Sequence, residues 1–240
     1  MARLRAVLFD AFGTLLDARG LHETATAHIL AELGLEGLNP AELHREWDGE
    51  ALALIPDGPP FPSMLDLFRE GLVRCLAKRG FSLGGGELDR AMDILVTTFR
   101  EGTKSFEGAH EIVSFCRELG LGTALVSNAD AGLLRYLLTE TGLESVLDVI
   151  IISDEVGLMK PDARIFELAL SRLGVRAQEA IMVGDSELDI EGARRAGVRA
   201  ALVVRGPESP HLPGGVVPDL IVGGLVELKG PIASMVLRGL

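Results

Sequence analysis

The chain has 240 residues, 48% hydrophobic and 24% charged, enough to bury one large core, or a core plus a smaller insert, without disulfide or metal staples. Its formal net charge of −12, with no dense Lys/Arg patch to offset it, argues against a nucleic-acid partner; an acidic chain that handles an anion needs local positive charge, helix N-termini or a metal ion. Cys75 and Cys116 fit no metal spacing and no disulfide framework and read as small buried hydrophobes of a reducing cytoplasm. With no apolar signal segment after Met1 and no run of 18 apolar residues, a cytoplasmic chain away from the membrane is expected.

In chain order, the first apolar run, Arg5–Phe9, is a predicted strand. From Ala18 to Phe99 the patterns are helical: Leu21–Leu33, Pro40–Leu54, Ser63–Arg79 and Gly86–Thr98. Turn signals separate them at Asn39-Pro40, Pro56-Asp57-Gly58-Pro59-Pro60 and Gly84-Gly85-Gly86. This stretch is read as a helical insert, 17–99, in a core made of 1–16 and 100–240. Beyond it, helices and strands alternate: Ala109–Leu119, then strand Thr123–Ser127; Ala131–Thr141, then strand Val149–Ile152. Helix Ala163–Leu173 precedes strand Ala180–Val183, and helix Ile190–Ala196 precedes strand Ala200–Val203. A Pro/Gly-rich loop from Gly206 to Pro218, an edge strand Leu220–Val222 and a short helix over Pro231–Leu240 complete the chain. The alternation implies right-handed βαβ crossovers and an α/β fold: a Rossmann-like parallel sheet with helices on both faces.

In such a sheet ligands bind beyond the carboxyl ends of the strands. The first strand ends in Phe9-Asp10-Ala11-Phe12-Gly13-Thr14-Leu15, which sets a carboxylate in the crevice, able to act as a nucleophile. The second ends in Ser127-Asn128, a hydroxyl and an amide suited to an anion. After the third comes Lys160-Pro161-Asp162. Lys160 is one of only four lysines, and the proline suits the first turn of the next helix. An ammonium held there would offset repulsion between a carboxylate and an anionic substrate. The fourth ends in Gly184-Asp185-Ser186-Glu187-Leu188-Asp189, hard oxygen donors of the kind that suit Mg²⁺; capping of a helix accounts for Asp189 but not for Asp185.

Four such signals in this order resemble the haloacid dehalogenase superfamily, which includes phosphatases, phosphonatases and dehalogenases. The likeness runs through Lys160-Pro161-Asp162, Ile165-Phe166, Gly184-Asp185-Ser186, Asp189-Ile190, Ala193 and Ala196-Gly197, with Phe106-Glu107-Gly108-Ala109 resembling the family's return to the core. The insert matches the family's cap. The resemblance implies an aspartyl-enzyme intermediate on Asp10, with Thr14, Ser127 and Lys160 on the transferring group. It also implies Mg²⁺ held by Asp10, the backbone carbonyl of Phe12 and Asp185, with Asp189 behind them or as a further ligand. Asn128 and, from the insert, Arg45 are further candidates for the substrate. The partner implied is a small anionic molecule, the chain a monomer or homodimer.

Position 12 departs from the family's phosphatases, which carry there an aspartate that protonates the leaving group and activates water. Phenylalanine moves no proton, and such help is worth about 10²–10⁴-fold. Three readings stay open. The first is a Mg²⁺-dependent phosphoester hydrolase that recruits another group, with Asp17, His22 and Glu23 as candidates. The second is a 2-haloacid dehalogenase, whose halide leaves without a proton, with Arg45 clamping the substrate carboxylate. The third is a low-activity or regulatory protein. The fourth motif has the metal-binding form, and Phe166 stands where the dehalogenases carry a tyrosine, so the first reading is preferred.

His22, His28, His44, His110 and His211 form no pair with metal spacing and read as separate surface or helix-face side chains. Trp47 and Arg45 fall on different faces of one helix. Phe61, Phe68 and Phe81 are assigned to the core of the insert rather than to a substrate platform.

Overall fold

The strand runs are continuously apolar because both faces of the sheet are covered. Along β1 (Ala6–Phe9), Val7 and Phe9 enter one hydrophobic cluster and Ala6 and Leu8 the other. Leu125 and its neighbours Ala124 and Val126 divide in the same way along β4 (Gly122–Ser127). So do Ile181 and Val183, against Ala180 and Met182, along β6 (Ala180–Gly184). This is the period-two geometry of a strand buried on both sides.

The computed structural model describes residues 2–205 and 217–237. With β5 (Val149–Ile152), β7 (Arg199–Val203) and β8 (Leu220–Val222), the strands form one six-stranded sheet in the order β5-β4-β1-β6-β7-β8, parallel throughout. The order runs outward from β1 first one way and then the other, which opens a crevice at its carboxyl edge. A two-residue antiparallel ribbon joins β2 (Leu16–Asp17) to β3 (Lys104–Ser105). Two residues carry no periodicity, so the sequence does not announce this ribbon.

Between the ribbon's strands lie four helices: α1 (Leu21–Glu32), α2 (Pro40–Leu52), α3 (Met64–Ala77) and α4 (Gly85–Gly102). They share a cluster of their own that includes Ile29, Leu43, Trp47, Leu72, Leu76 and Leu95. Trp47 is fully buried and its indole N–H donates to the Phe68 carbonyl at 2.6 Å. Asn39 and Ser63 cap α2 and α3 with their side-chain oxygens. Phe81, expected in this core, is 37% exposed. It follows the left-handed Gly80 past the end of α3, which carries it off the packed face.

The remaining helices cover the sheet: α5 (Ala109–Glu118), α6 (Ala131–Glu140), the single turn α7 (Ser153–Val156), α8 (Ala163–Leu173), α9 (Glu187–Arg195) and α10 (Lys229–Leu237). The expected start of α9 at Ile190 moves forward to Glu187 because Ser186 caps it. The loop assigned to Gly206–Pro218, with His211, lies almost wholly outside the described residues, as does the end of the last helix. Cys75 and Cys116 are buried and unpaired. Among the described residues no helix is long and apolar enough to cross a membrane.

Candidate active site

Adjacent strands bring the motifs together. Asp10 follows β1 and its N–H donates to the Val183 carbonyl of β6 at 2.9 Å; Ser127 closes β4; Asp185 follows β6. After Asp10 the chain turns on Ala11, whose carbonyl accepts from the N–H groups of Thr14, Leu15 and Leu16. Gly13 sits in this turn at φ 80°, and a Cβ there would run into the Asp185 carboxylate. At Gly184 a Cβ would likewise meet the Asp189 carboxylate. Both glycines exist so that a carboxylate can approach the backbone. From below, Arg205 donates to the Gly13 carbonyl and, at 3.0 Å, to the Thr14 carbonyl, with its guanidinium over the Phe106 ring. Nothing in the sequence singled out Arg205.

Lys160 is the centre of the charged group. Its ammonium donates to Asp10 Oδ1 at 2.5 Å and to Asp189 Oδ1 at 2.6 Å, and all three residues are buried. The rigidity attributed to Pro161 has another source. Helix α8 begins at Ala163 behind an Asp162 cap, so Pro161 precedes the helix. Instead, the Asn128 carboxamide accepts from the Lys160 N–H at 2.8 Å and donates to the Lys160 carbonyl at 2.9 Å. Asn128, expected against the substrate, spends its amide on holding Lys160, although it also lines the cleft. Asp189 is similarly engaged: its second oxygen accepts from the Ser186 hydroxyl at 2.6 Å and the Ser186 N–H at 3.1 Å. The Thr14 hydroxyl donates to Asp185 Oδ1 at 3.3 Å.

Three carboxylates thus stand around one ammonium, with oxygens of Asp10, Asp185 and Asp189 within 4.8 Å of one another. Burial, reinforced by Asp189 and Asp185 against the pull of Lys160, pushes the Asp10 carboxyl up to about 7. Burial and Asp189 push Asp185 up to about 6. Burial opposes the charge on Lys160, but Asp10 and Asp189 outweigh it and hold the ammonium above its usual range. Such a donor set fits a hard divalent cation: two carboxylates with oxygens to spare, Asp10 and Asp185, and a surplus of negative charge. Asp189, with both oxygens bonded inside the protein, fits the place behind the ligands. The turn's N–H donors go to the Ala11 and Leu16 carbonyls rather than to that of Phe12.

Above this floor a cleft of 440 Å³ separates the sheet from the helices. Phe12, Gly13, Asn128 and Asp185 line it below, and His22, His44, Asp48, Phe68, Leu95 and Phe99 line it above. A neighbouring hollow of 230 Å³ is lined by Asp10, Ser127 and Lys160 and shares Phe12, Met64, Asn128 and Asp185 with the cleft. The histidines read as separate are here a pair: His22 and His44 rings lie 5.1 Å apart, and both face Asp48. His44 and Asp48 are one helical turn apart, a signal visible in the sequence, but nothing there connects them to His22 on another helix. Phe68, assigned to the core, also packs edge-on against His22 at the cleft. Arg45 is exposed and lines neither hollow.

A family model for haloacid dehalogenase-like hydrolases matches residues 4–197. A phosphoserine phosphatase of Thermus thermophilus is 39% identical over 166 residues, 67% of this chain and 64% of that protein, so the match spans under two thirds of the relative's length. An (S)-2-haloacid dehalogenase of Burkholderia cepacia is 29% identical over 214 residues, 87% of this chain and 86% of that one. Among solved structures, a putative hydrolase of the same superfamily from Bacillus subtilis, bound to magnesium, superposes with a TM-score of 0.76 at 19% identity, covering 96% of this chain and 99% of that one. The chain belongs to the haloacid dehalogenase-like hydrolases.

Proposed function

We propose that the chain is a Mg²⁺-dependent phosphoester hydrolase, acting on a small phosphorylated metabolite in the cytoplasm through an aspartyl-phosphate on Asp10. In this reading residues 17–99 form a cap over the core of 1–16 and 100–240. The observation that carries it is the unbalanced carboxylate pair, Asp10 and Asp185, beside a single ammonium. Displacement of a halide does not call for a second carboxylate there. A cation site does.

Lys160 occupies Asp10 Oδ1, which leaves Oδ2 to attack phosphorus. Two of the three ammonium protons go to Asp10 and Asp189, and the third is left for a phosphoryl oxygen. Ser127, beside Asp10 in the same hollow, binds a second oxygen. Asn128 keeps Lys160 in position through its backbone. A divalent cation held by Asp10, Asp185 and the Phe12 carbonyl would supply the positive charge that a phosphate needs beside carboxylates. Water attack on phosphorus then frees Asp10 and releases phosphate.

A second reading, 2-haloacid dehalogenase, draws on the apolar side chain of Phe12, which packs edge-on against Phe99 at 6.0 Å, and on the Burkholderia relative. Against it, Phe166 is buried in the core under Gly192 and offers nothing to the cleft. The test is a paired assay of p-nitrophenyl phosphate and 2-chloropropionate, each with Mg²⁺ and with EDTA. Phosphate release that EDTA stops supports the first reading. Chloride release indifferent to EDTA would replace it with the second.

A further inference from the structure

We propose that His22, oriented by Asp48, is the acid–base of this reaction, in place of the carboxyl that position 12 lacks. The inference rests on the phosphoester reading above.

Three proton carriers follow the first strand in the chain, Asp17, His22 and Glu23, and the fold separates them. Asp17 is locked to Arg19 by contacts of 2.8 and 2.6 Å and borders a different hollow. Glu23 is exposed and lines neither hollow of the site. His22 lines the cleft opposite Phe12 and Asp185. Its ring and that of Phe12 lean on the same side chain, Phe99, at 4.9 and 6.0 Å.

The ring is held as a proton carrier must be. Nδ1 lies 2.9 Å from Asp48 Oδ1, so that Nε2 is the nitrogen left to exchange a proton with a ligand. Phe68 and Phe99 meet the ring edge-on at 4.9 Å and Trp47 stacks beside it at 6.3 Å, which restricts its rotation. On its other side Asp48 Oδ2 faces His44, whose Nδ1 is buried, has no hydrogen bond and stands 3.5 Å away. A base with its own orienting carboxylate, in a cleft shared with a nucleophile's strand end, is a recurring catalytic arrangement. Asp48 is the positioning residue; His22 is the catalytic one.

The protons balance. As Asp10 Oδ2 bonds to phosphorus and the bridging P–O bond breaks, protonated His22 gives the Nε2 proton to the departing oxygen, which leaves as an alcohol. Neutral His22 then takes a proton from the water that attacks the aspartyl-phosphate. The Asp10–phosphorus bond breaks, inorganic phosphate leaves, and His22 is protonated again.

A proton donor matters most for a poor leaving group, and that sets the test. Turnover of glycerol 1-phosphate and of p-nitrophenyl phosphate is compared in excess Mg²⁺ for the parent, His22→Gln, Asp48→Asn and the double variant His22→Gln/Phe12→Asp. His22→Gln lowers kcat on glycerol 1-phosphate by about 10²-fold but on p-nitrophenyl phosphate by no more than about threefold. Asp48→Asn gives the same asymmetry at about tenfold, and Phe12→Asp in the double variant recovers at least about tenfold of the loss. Equal losses on both esters would mean a structural role and overturn the proposal, as would no loss. Should His22→Gln fail to fold, Asp48→Asn decides by the same asymmetry. If 1,10-phenanthroline stops the parent in excess Mg²⁺, then His22, His44 and Asp48, whose ligand atoms lie within 4.8 Å of one another, hold a transition metal and the proposal falls. A parent inactive on both esters refutes the phosphoester reading, and this one with it.

Discussion

On the sheet side of the cleft, Asp10, Lys160 and Asp189 are tied by contacts of 2.5 and 2.6 Å; on the helical side, His22 sits among Phe68, Phe99 and Trp47 at 4.9 to 6.3 Å. The lower wall is a charge lattice whose members are held by backbone and by one another. The upper wall is aromatic, with one carboxylate and two imidazoles set into it. Ion pairs taken out of water are strong only while complete, since losing one partner leaves a buried charge unmatched. Aromatic walls lose area in proportion to what is removed and tolerate change. The lower wall therefore has little freedom to vary. The upper wall can change shape and polarity, and with it the substrate admitted.

The largest effect is expected from Lys160→Met, which strands Asp10 and Asp189. Without added cation it should destabilise the fold by about 3–5 kcal/mol, read from urea unfolding. It should also cut kcat on p-nitrophenyl phosphate by about 10²–10³-fold. A variant as stable as the parent would show that the lattice does not depend on its ammonium.

An intermediate effect concerns pH. Asp10 at about 7 and Asp185 at about 6 are raised above the value near 3.8 of the unfolded chain, so the folded state binds more protons over that interval. Stability should then fall as pH rises from 5 to 8 in EDTA, by several degrees in Tm. Glu179 and Glu191, held near 2 by their arginine partners, act in the opposite sense but below this range. His44, lowered by burial, opposes with a single proton against two. Mg²⁺ should raise Tm more at pH 8 than at pH 5, and the fall in EDTA should be shallower in Asp10→Asn. A Tm that rises with pH in EDTA, or the same slope in both proteins, contradicts the assignment.

The smallest effect belongs to the upper wall's outer face. Arg45→Ala should leave stability within about 0.5 kcal/mol and kcat/KM within about twofold. A large loss of either phosphate or halide release would bring Arg45 back as a substrate clamp.

The lower wall was legible for a local reason. Its residues end apolar runs, and a strand end in a parallel sheet has a known place, so the sequence alone puts Asp10, Ser127 and Asp185 at one edge. Lys160 and Asp189 stand out by composition and spacing, but nothing along the chain announces their bond to each other. Gly13 and Gly184 each clear space for a carboxylate that only the folded chain brings beside them. The upper wall was nearly opaque. Its helices follow from their period and Phe68 packs in their cluster as expected, but no spacing pairs His22 with His44 or sets Phe68 at the cleft.

The sequence by itself determined the fold class and the chemical identity of the strand ends, because these follow from short-range patterns: burial on two faces, helical period, turn residues. Only the tertiary structure decided what those groups bond to. Asn128 turned from the substrate to the Lys160 backbone, Asp189 was closed off by Ser186 and Lys160, and Arg205 came in under the turn from 192 residues away. His22 met Asp48 only because α1 and α2 pack side by side. Such contacts are set by how amphipathic faces stack, and no spacing along the chain encodes the partner across the gap.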